Sequence, residues 1–325
     1  MGNEPLLSLH DVRLRHPAAG MLLDGVSLTL RRGQILGVVG ESGSGKSLTG
    51  LSVLGLQPAG EMSGRLHFDG QDLCAFRGRD WQRFRGRRAA MIFQDPMTAF
   101  LPVRRIGAQI VEQIRLHLPL SRREAHARAV GLLARMGVPS PEQTARRFPH
   151  ELSGGLRQRA MIAMAISCEP ELLIADEPTT ALDVTVQAQI LTLLREIGER
   201  EASVMLITHD MGVVAQSCTD VAVLYGGVVI ETGPVASVLS APLHPYTQAL
   251  LRAIPPLDGP RPDTLPVIDG SPPSPQTRPS GCVFAPRCPH VSLPCQTRPA
   301  MRRAGAVSAG ASGEGAHEVA CVLYP

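Results

Sequence analysis

Hydrophobic and polar residues alternate near the start of the chain, in the two runs 7–14 and 26–30. A period of two residues is typical of strands that bury one face, so both runs predict antiparallel strands. The apolar run from Ile35 to Val39 is short and mostly β-branched, which predicts a buried strand. Residues 47–56 have the composition of a helix. Residues 35–56 are therefore predicted to form a strand, a loop and a helix in that order.

Strand-like and helix-like patterns then follow one another. Apolar positions at helical spacing predict helices within residues 106–136, 156–167 and 186–201. Short apolar runs predict strands at residues 66–68, 89–93, 172–177, 204–207, 221–225 and 228–231. This order predicts a mainly parallel sheet wound with helices, with a helical insertion at about residues 95–165.

The composition changes after Ile254. Fourteen of the 28 prolines lie from Pro255 onward, and the apolar periodicity ends there. We therefore predict two domains, residues 1–254 and 255–325. The second is an appended, loop-rich segment with little core of its own, and it contains four of the seven cysteines.

Charge and composition exclude some functions. A formal net charge of +3 and an aromatic content of 3% do not indicate nucleic-acid binding. Six arginines lie between Arg77 and Arg88; a solvated helix face explains them better than a nucleic-acid or membrane patch. No apolar run approaches the ~18 residues that span a bilayer, and the first five residues lack a signal-peptide layout. We expect a cytosolic protein with reduced cysteines, reaching the membrane through partners.

One loop carries the pattern of a phosphate-binding site. Residues Gly40-Glu41-Ser42-Gly43-Ser44-Gly45-Lys46-Ser47 fit G-x-x-x-x-G-K-[ST] between the predicted strand and helix. The glycines allow backbone N–H groups to turn toward phosphate oxygens, and the helix adds its positive end. Lys46 would reach the terminal phosphates and the Ser47 hydroxyl would ligate Mg²⁺. The alternative is a glycine-rich turn containing a lysine by chance.

Two carboxylates end a predicted strand. Asp176 and Glu177 follow the apolar run that begins at Leu172. In P-loop nucleoside triphosphatases a strand-end aspartate holds Mg²⁺, usually through water. Adjacent residues of a strand point in different directions, so Glu177 would be left to orient and deprotonate the attacking water. A polar strand end without chemistry is the alternative.

These motifs, in this order, resemble the ATP-binding subunits of ABC transporters. The resemblance covers essentially the whole chain. Its other motifs are Gln94, Leu152-Ser153-Gly154-Gly155 followed by Arg157-Gln158-Arg159, Ala181-Leu182-Asp183, and His209. It implies an α/β P-loop NTPase fold with an antiparallel β-subdomain, a helical subdomain and a cysteine-containing C-terminal extension. It also implies that ATP and Mg²⁺ are used to move a solute through two separate transmembrane permease subunits.

The family implies roles for individual residues. Two ATP-binding domains face each other head to tail, so the signature residues would contact the ATP of the partner subunit; these are Leu152, Ser153, Gly154, Gly155 and Gln158. Gln94 would sense Mg²⁺ and the attacking water, His209 would bond the γ-phosphate, and Asp183 would couple the two sites. His16 stands where the family places an aromatic residue against adenine, and its imidazole offers less stacking surface.

Residues 94–99, 174–183, 208–214 and 244–247 look like the dipeptide/oligopeptide/nickel importer branch. That branch implies import of di- or oligopeptides, with nickel or another solute as the alternative. It implies a second, different ATP-binding subunit, an extracytoplasmic solute-binding protein, and a peripheral position on the cytoplasmic face of the inner membrane. The sequence Ala99-Phe100-Leu101-Pro102 departs from the branch in the loop nearest the membrane subunit.

Four cysteines of the tail are candidate metal ligands. Cys282, Cys288, Cys295 and Cys321 match the number of thiolates that hold a [4Fe–4S] cluster or a structural zinc. Members of the branch with similar Cys-x-Phe-Ala-Pro-Arg-Cys-Pro tails include some that hold an iron–sulfur cluster, so the cluster is the prediction. Zinc and uncoordinated thiols are the alternatives. The scattered cysteines Cys74, Cys168 and Cys218 are predicted to be small buried residues.

Two other classes of protein compete with this interpretation. One is a soluble ABC ATPase acting on nucleic acid or ribosomes, which usually carries two cassettes or a long coiled-coil insertion. The other is a regulatory subunit that binds ATP at a degenerate site. The presence of Lys46, Glu177 and His209 argues against the second.

Overall fold

The computed structural model describes residues 5–180, 182–254, 267–303 and 316–324. The strands of this part of the chain are β1 (Pro5–His16), β2 (Gly20–Arg31), β3 (Ile35–Val39), β4 (Glu61–Phe68), β5 (Gln71–Asp72), β6 (Ala89–Ile92), β7 (Leu172–Asp176), β8 (Ser203–Thr208), β9 (Asp220–Tyr225), β10 (Val228–Pro234), β11 (Arg302–Arg303) and β12 (Glu318–Val319). The α-helices are α1 (Lys46–Val53), α2 (Gly78–Phe84), α3 (Ile106–His117), α4 (Arg122–Arg135), α5 (Pro141–Ala145), α6 (Gly154–Ala165), α7 (Val184–Arg200), α8 (Met211–Ser217), α9 (Val235–Ser240) and α10 (Pro245–Arg252).

The described residues form two compact units. The first unit contains the described residues up to Leu6, Leu30–Ile35 and Ala75–Ile207. The second contains Leu7–Thr29, Leu36–Cys74 and the described residues from Thr208 onward. Both units therefore combine segments that are distant in the sequence.

Parallel strands form the sheet of the first unit. β7 pairs with β6 and with β8, so that Leu172 lies opposite both Ala89 and Ser203. Every residue of β7 is buried, which explains why this strand is a continuous apolar run rather than an alternating one. Because the strands are parallel, the residues that follow β6 and β7 emerge at the same edge of the sheet.

The helical part of the first unit begins with α3 and α4. Ile106, Ile110 and Ile114 are buried along one face of α3, as their spacing predicts. The single predicted region 106–136 is divided into two helices, because Ser121 caps α4 in a reciprocal arrangement with Glu124. The Ser121 hydroxyl accepts from the N–H of Glu124, whose carboxylate accepts from the N–H of Ser121.

The second unit contains one antiparallel sheet and a further set of paired strands. The antiparallel one has the strand order β2-β1-β4-β5, and its register places Leu7 opposite Phe68. In the further set, β3 runs parallel to β9, which forms a hairpin with β10. Gly226 and Gly227 turn this hairpin with φ of +55° and +76°, a region that favours glycine.

The C-terminal extension is more firmly packed than its composition predicts. Phe284 is 1% exposed, and its ring lies edge-on at 5.2 Å from Tyr225 and 5.4 Å from Tyr246. Val283, Cys282 and Cys295 are buried in the same cluster. The described residues of the extension thus contribute apolar side chains to a core that they share with Tyr225 and Tyr246, and these side chains follow no helix or strand period because they lie in or beside 3₁₀ turns.

In the part of the chain that the structure describes, no helix has the length and apolar character needed to span a bilayer.

A buried histidine caps α10. The Nδ1 atom of His244 accepts a hydrogen bond from the N–H of Tyr246 at 3.0 Å. Burial lowers the pKa of His244 to about 4, while the nearby carboxylate of Glu231 acts in the opposite direction. Folding therefore holds this imidazole in its neutral form, although it would take up a proton in the unfolded chain below about pH 6.5.

Replacing His244 is expected to reduce the loss of stability in mild acid. Between about pH 6.5 and pH 4 the unfolded state binds the extra proton, so the contribution of His244 to stability is lost as the pH falls. At pH 5 this amounts to about 2 kcal/mol relative to pH 7. Asparagine can keep the cap, so His244→Asn is the suitable variant. Urea unfolding at both pH values checks this, and an equal pH dependence in variant and wild type would contradict it.

Candidate functional site

The predicted phosphate loop lies in the second unit and connects β3 to α1. A Cβ atom on Gly40 would lie 2.1 Å from the carbonyl oxygen of Leu224, so a side chain cannot be accommodated there without a shift of the backbone. Gly43 and Gly45 have φ of +79° and +99°, the left-handed region that glycine adopts freely. Gly40 thus allows the loop to lie close to the backbone of Leu224, and Gly43 and Gly45 allow the loop to turn as the motif requires.

Lys46 is the only lysine of the chain. It is 5% exposed, and its Nζ donates to the carbonyl oxygens of Gly40 at 2.7 Å and Glu41 at 3.0 Å. Among the described residues, the buried Ser44 hydroxyl has no hydrogen-bond partner. An unsatisfied hydroxyl beside a buried ammonium and the start of a helix fits a loop built for an anion such as phosphate.

Sequence reasoning missed two residues that contact this loop. The hydroxyl of Tyr246 accepts from the N–H of Glu41 at 2.8 Å. The guanidinium of Arg287 donates to both carboxylate oxygens of Glu41, at 2.7 and 3.2 Å. Both residues belong to motifs that the sequence singled out, residues 244–247 and the flank of Cys288, but nothing in those motifs indicated a contact with position 41.

The predicted acidic pair lies in the first unit. Asp176 is the last residue of β7 and is 5% exposed. Glu177 follows in the left-handed region with φ of +44°, and its N–H donates to the carbonyl of Ile207 at 2.9 Å. For a residue other than glycine this conformation costs about 1–3 kcal/mol, and such strain is concentrated at functional sites.

Two side chains hold the Glu177 carboxylate. The Gln94 amide donates to Oε2 at 3.1 Å, and the Thr180 hydroxyl donates to the same atom at 3.0 Å. The structure therefore brings together Gln94 and Glu177, which are 83 residues apart in the sequence. Thr180 was not predicted to take part, although it lies three residues after Glu177.

The signature residues begin α6 in the first unit. Ser153 is exposed and caps the helix, its hydroxyl accepting from the N–H of Leu156 at 3.4 Å. A side chain on Gly154 would meet open space, which leaves the backbone accessible. Leu152 and Gln158 are buried instead. The Gln158 amide donates to the carbonyl of Pro178 at 2.7 Å, so the structure turns this side chain inward and not toward a ligand of another subunit.

Three further predicted residues occupy turns and helix starts. His16 is half-buried, and its Nδ1 accepts from the N–H groups of Ala18 and Ala19, which ties the ring to its own turn. Asp183 is exposed and caps α7. His209 is exposed directly after β8. Ala181, part of the motif that ends at Asp183, lies outside the described residues.

The four tail cysteines come close to one another. The N–H of Cys282 donates to the carbonyl of Cys295 at 2.8 Å. Burial raises the pKa of Cys282, and the neighbouring Cys295, Cys321 and Cys288 raise it further.

The described residues contain no group of three or more histidine, cysteine, aspartate or glutamate side chains arranged to hold a metal ion. The prediction of a [4Fe–4S] cluster, and the alternative of zinc, are therefore not supported at Cys282, Cys288, Cys295 and Cys321. Four cysteines that are close in the chain and in space do not by themselves bind a metal ion, because their sulfur atoms must also converge on one point.

The scattered cysteines differ in burial. Cys168 is buried as predicted, whereas Cys74 and Cys218 are half-buried. Burial raises the pKa of Cys218 to about 12, so this side chain is a thiol at neutral pH. Its sulfur packs against β3, since a Cβ on Gly37 would lie 3.1 Å away. These cysteines contribute packing to their units.

Comparison with known protein families matches two parts of the chain. Residues 23–180 match the family described as ABC transporter. Residues 230–295 match the family described as the oligopeptide/dipeptide transporter C-terminal region. The second match includes β10, α10 and three of the four tail cysteines.

Curated relatives match over most of their length. The chain is 46% identical over 309 residues to the probable D,D-dipeptide transport ATP-binding protein DdpD of Escherichia coli, covering 93% of this chain and 94% of that protein. It is 48% identical over 279 residues to the oligopeptide transport ATP-binding protein AppD of Bacillus subtilis, covering 85% of each.

Solved structures share the fold. The cbiO1 protein of Clostridium perfringens, described as part of the ABC transporter complex cbiONQ, is 25% identical with a TM-score of 0.64, covering 74% of this chain and 92% of that one. The ATP-binding cassette MJ0796 bound to ADP and Pi is 23% identical with a TM-score of 0.63, covering 70% and 98%. The predicted α/β P-loop fold is confirmed.

Proposed function

Because the chain belongs to the ATP-binding subunits of peptide-importing ABC transporters, we propose that it hydrolyses ATP to drive the import of di- or oligopeptides through separate membrane subunits. The sequence resemblance to this family is thereby confirmed. One observation carries the proposal: the similarity to dipeptide and oligopeptide transport proteins extends from the ATP-binding region into the C-terminal extension.

The phosphate loop would bind the triphosphate. Lys46 would exchange its bonds to the carbonyls of Gly40 and Glu41 for bonds to phosphate oxygens, and the Ser44 hydroxyl would gain the partner it lacks among the described residues. Mg²⁺, held by Ser47, Asp176 and Gln94, would neutralise charge that develops on the phosphates. The ammonium and the loop N–H groups would add to this without further movement of the backbone.

Glu177 would orient and deprotonate the water that attacks the γ-phosphate. The bonds from Gln94 and Thr180 fix its carboxylate, which supports this role because a general base must be held in position before reaction. His209 would bond the γ-phosphate. Hydrolysis would then yield ADP and phosphate.

A second ATP-binding subunit would complete the site. Ser153 is exposed and caps the helix that begins at Gly154, and a helix start stabilises an anion; we propose that Ser153, Gly154 and Gly155 bind the γ-phosphate held by that partner. Asp183 would couple the two sites. We propose a different chain as the partner, as is usual in this branch.

The helical part of the first unit offers a surface for the permease subunits. A groove of about 940 Å³ between α3, α4 and α5 includes Arg104, Arg105, Arg115, Arg122, Arg123 and Arg146 in its lining. Leu116, which also lines the groove, is 75% exposed, and Val103, which precedes the lining residue Arg104 in the sequence, is 81% exposed. We propose that a cytoplasmic permease segment with apolar and acidic side chains docks here, because it would satisfy both features. The protein would thus lie peripherally at the cytoplasmic face of the membrane.

Peptide uptake tests the proposed function. The chain is purified with its co-expressed permeases and second ATPase, placed in vesicles with the solute-binding protein, and supplied with ATP and a labelled dipeptide. We expect uptake and phosphate release that both depend on the dipeptide. Nickel uptake in its place would reassign the solute, and co-purification with RNA instead of membrane proteins would contradict the assignment to transport.

The four tail cysteines have no role in the proposed ATP hydrolysis. The arrangement of Cys282, Cys288, Cys295 and Cys321 does not fit a metal centre, so no step depends on one. Anaerobic purification with a visible absorption spectrum and analysis for iron, sulfide and zinc tests that conclusion. A brown protein containing iron and sulfide would reinstate the cluster, and a colourless one containing stoichiometric zinc would reinstate the alternative.

A further inference from the structure

Within the described residues, the C-terminal extension contacts the phosphate loop through Arg287. We infer that Arg287, together with Tyr246 of α10, positions Glu41 and through it the lysine that binds ATP. This inference rests on the proposed function, since it concerns the same nucleotide site. It makes Arg287 and Tyr246 positioning residues, because both act through Glu41.

Arg287 is held on every side. Its Nε donates to the carbonyl of Asp269 at 2.8 Å, and Nη2 donates to that of Ile268 at 2.9 Å. Nη1 donates to the Tyr225 hydroxyl at 3.1 Å. The side chain is 5% exposed. With each nitrogen committed to an acceptor, the guanidinium is a fixed point and not a mobile surface charge.

The bond to Glu41 is bidentate. Nη1 and Nη2 of Arg287 donate to the two carboxylate oxygens at 2.7 and 3.2 Å. Bidentate pairing fixes the orientation of a carboxylate as well as its position. The Glu41 side chain is 24% exposed, so little solvent competes with the pair.

The backbone of Glu41 is engaged as well. Its N–H donates to the Tyr246 hydroxyl at 2.8 Å, and its carbonyl accepts from Lys46 at 3.0 Å and from the N–H of Ser44 at 3.2 Å. Glu41 therefore links the extension on one side to the ATP-binding lysine on the other. Release of Glu41 would allow the loop to relax away from the conformation that receives phosphate.

A second bridge of the extension provides a matched control. Arg298 donates to the Asp24 carboxylate at 2.6 Å and to the Asp24 carbonyl at 3.0 Å. This is also an arginine–carboxylate bridge, but it holds β2 and makes no hydrogen bond to residues 40–47. A general loosening of the extension should follow from the loss of either bridge, whereas a change in the phosphate loop should follow from the loss of Arg287 alone.

The test compares ATP binding in Arg287→Ala, Arg287→Lys, Glu41→Gln and Arg298→Ala, using the full chain and a fluorescent ATP analogue. We expect Arg287→Ala and Glu41→Gln each to raise the Kd by about tenfold, and the double variant to bind no worse than either. Arg287→Lys should lie between Arg287→Ala and the wild type, because it keeps the charge but loses the bidentate bond. Arg298→Ala should lower Tm and leave the Kd within about twofold.

Steady-state kinetics in the assembled transporter give a second readout. We expect Arg287→Lys to raise the KM for ATP and to leave kcat close to wild type, since Glu177 and its partners are unchanged. Equal Kd values for Arg287→Ala and Arg298→Ala would overturn the inference. A wild-type protein that binds ATP but moves no peptide would instead overturn the proposed function, and the binding comparison would still decide the role of Arg287.

Discussion

Glu177→Gln is expected to abolish ATP turnover while leaving ATP bound. The amide keeps the size of the carboxylate but cannot accept a proton from water, so the loss falls on the chemical step. We expect kcat to fall by about 100-fold or more and the Kd for ATP to stay within a few-fold of wild type. Phosphate release and nucleotide retention on a desalting column measure the two quantities.

A matched control separates chemistry from folding. Glu171→Gln removes a carboxylate from the same unit, which is paired with Arg32 and Arg88 and not with a predicted site residue. It should alter thermal stability more than turnover. Undiminished phosphate release by Glu177→Gln would remove Glu177 from the proposed role, and the base would have to be sought elsewhere.

Lys46→Met is expected to prevent ATP binding. The ammonium is buried and already hydrogen-bonded to the loop, so its positive charge is concentrated where the phosphates would arrive. Removing one partner of such a desolvated charge pair typically costs about 2–5 kcal/mol, which corresponds to a rise in Kd of about 30-fold or more. Equilibrium binding of a fluorescent ATP analogue measures this.

Arg65→Met serves as the control for net charge. Arg65 is exposed on β4 of the same unit, so its loss removes one positive charge away from the loop. Binding close to wild type in this variant and none in Lys46→Met would localise the effect. Unchanged binding in Lys46→Met would show that the loop does not hold the triphosphate.

Local sequence patterns predicted much of the fold, because the spacing of apolar residues shows which face of a helix or strand is buried. The apolar run Ile35–Val39 is the strand β3 with the same bounds, and the run at 172–177 gave all of β7 and one residue more. The predictions were poorer where a boundary depends on caps. The helical region 106–136 is interrupted at Ser121, and the reciprocal capping pattern Ser-x-x-Glu that causes this is present in the sequence.

The identity of the site residues was accessible from motifs, whereas their contacts were not. Nothing local indicates that Gln158 turns inward to Pro178, or that Glu177 adopts a left-handed conformation. Both depend on segments that meet only in the folded chain. The same holds for Arg287, whose partner at Glu41 is 246 residues away. Contacts between residues this far apart produce no regular spacing in the sequence from which they could be predicted.

The composition of the chain makes its phosphate loop chemically unique. All other basic side chains that carry a fixed positive charge are arginines, which acylating reagents leave unmodified at neutral pH, and Lys46 supplies the only primary amine on a side chain. An N-hydroxysuccinimide ester should therefore mark Lys46 and the α-amino group of the chain, which separate peptides distinguish, and ATP should shield Lys46. Mass spectrometry of the labelled peptide would then report nucleotide occupancy in the unmutated protein, even inside the assembled complex.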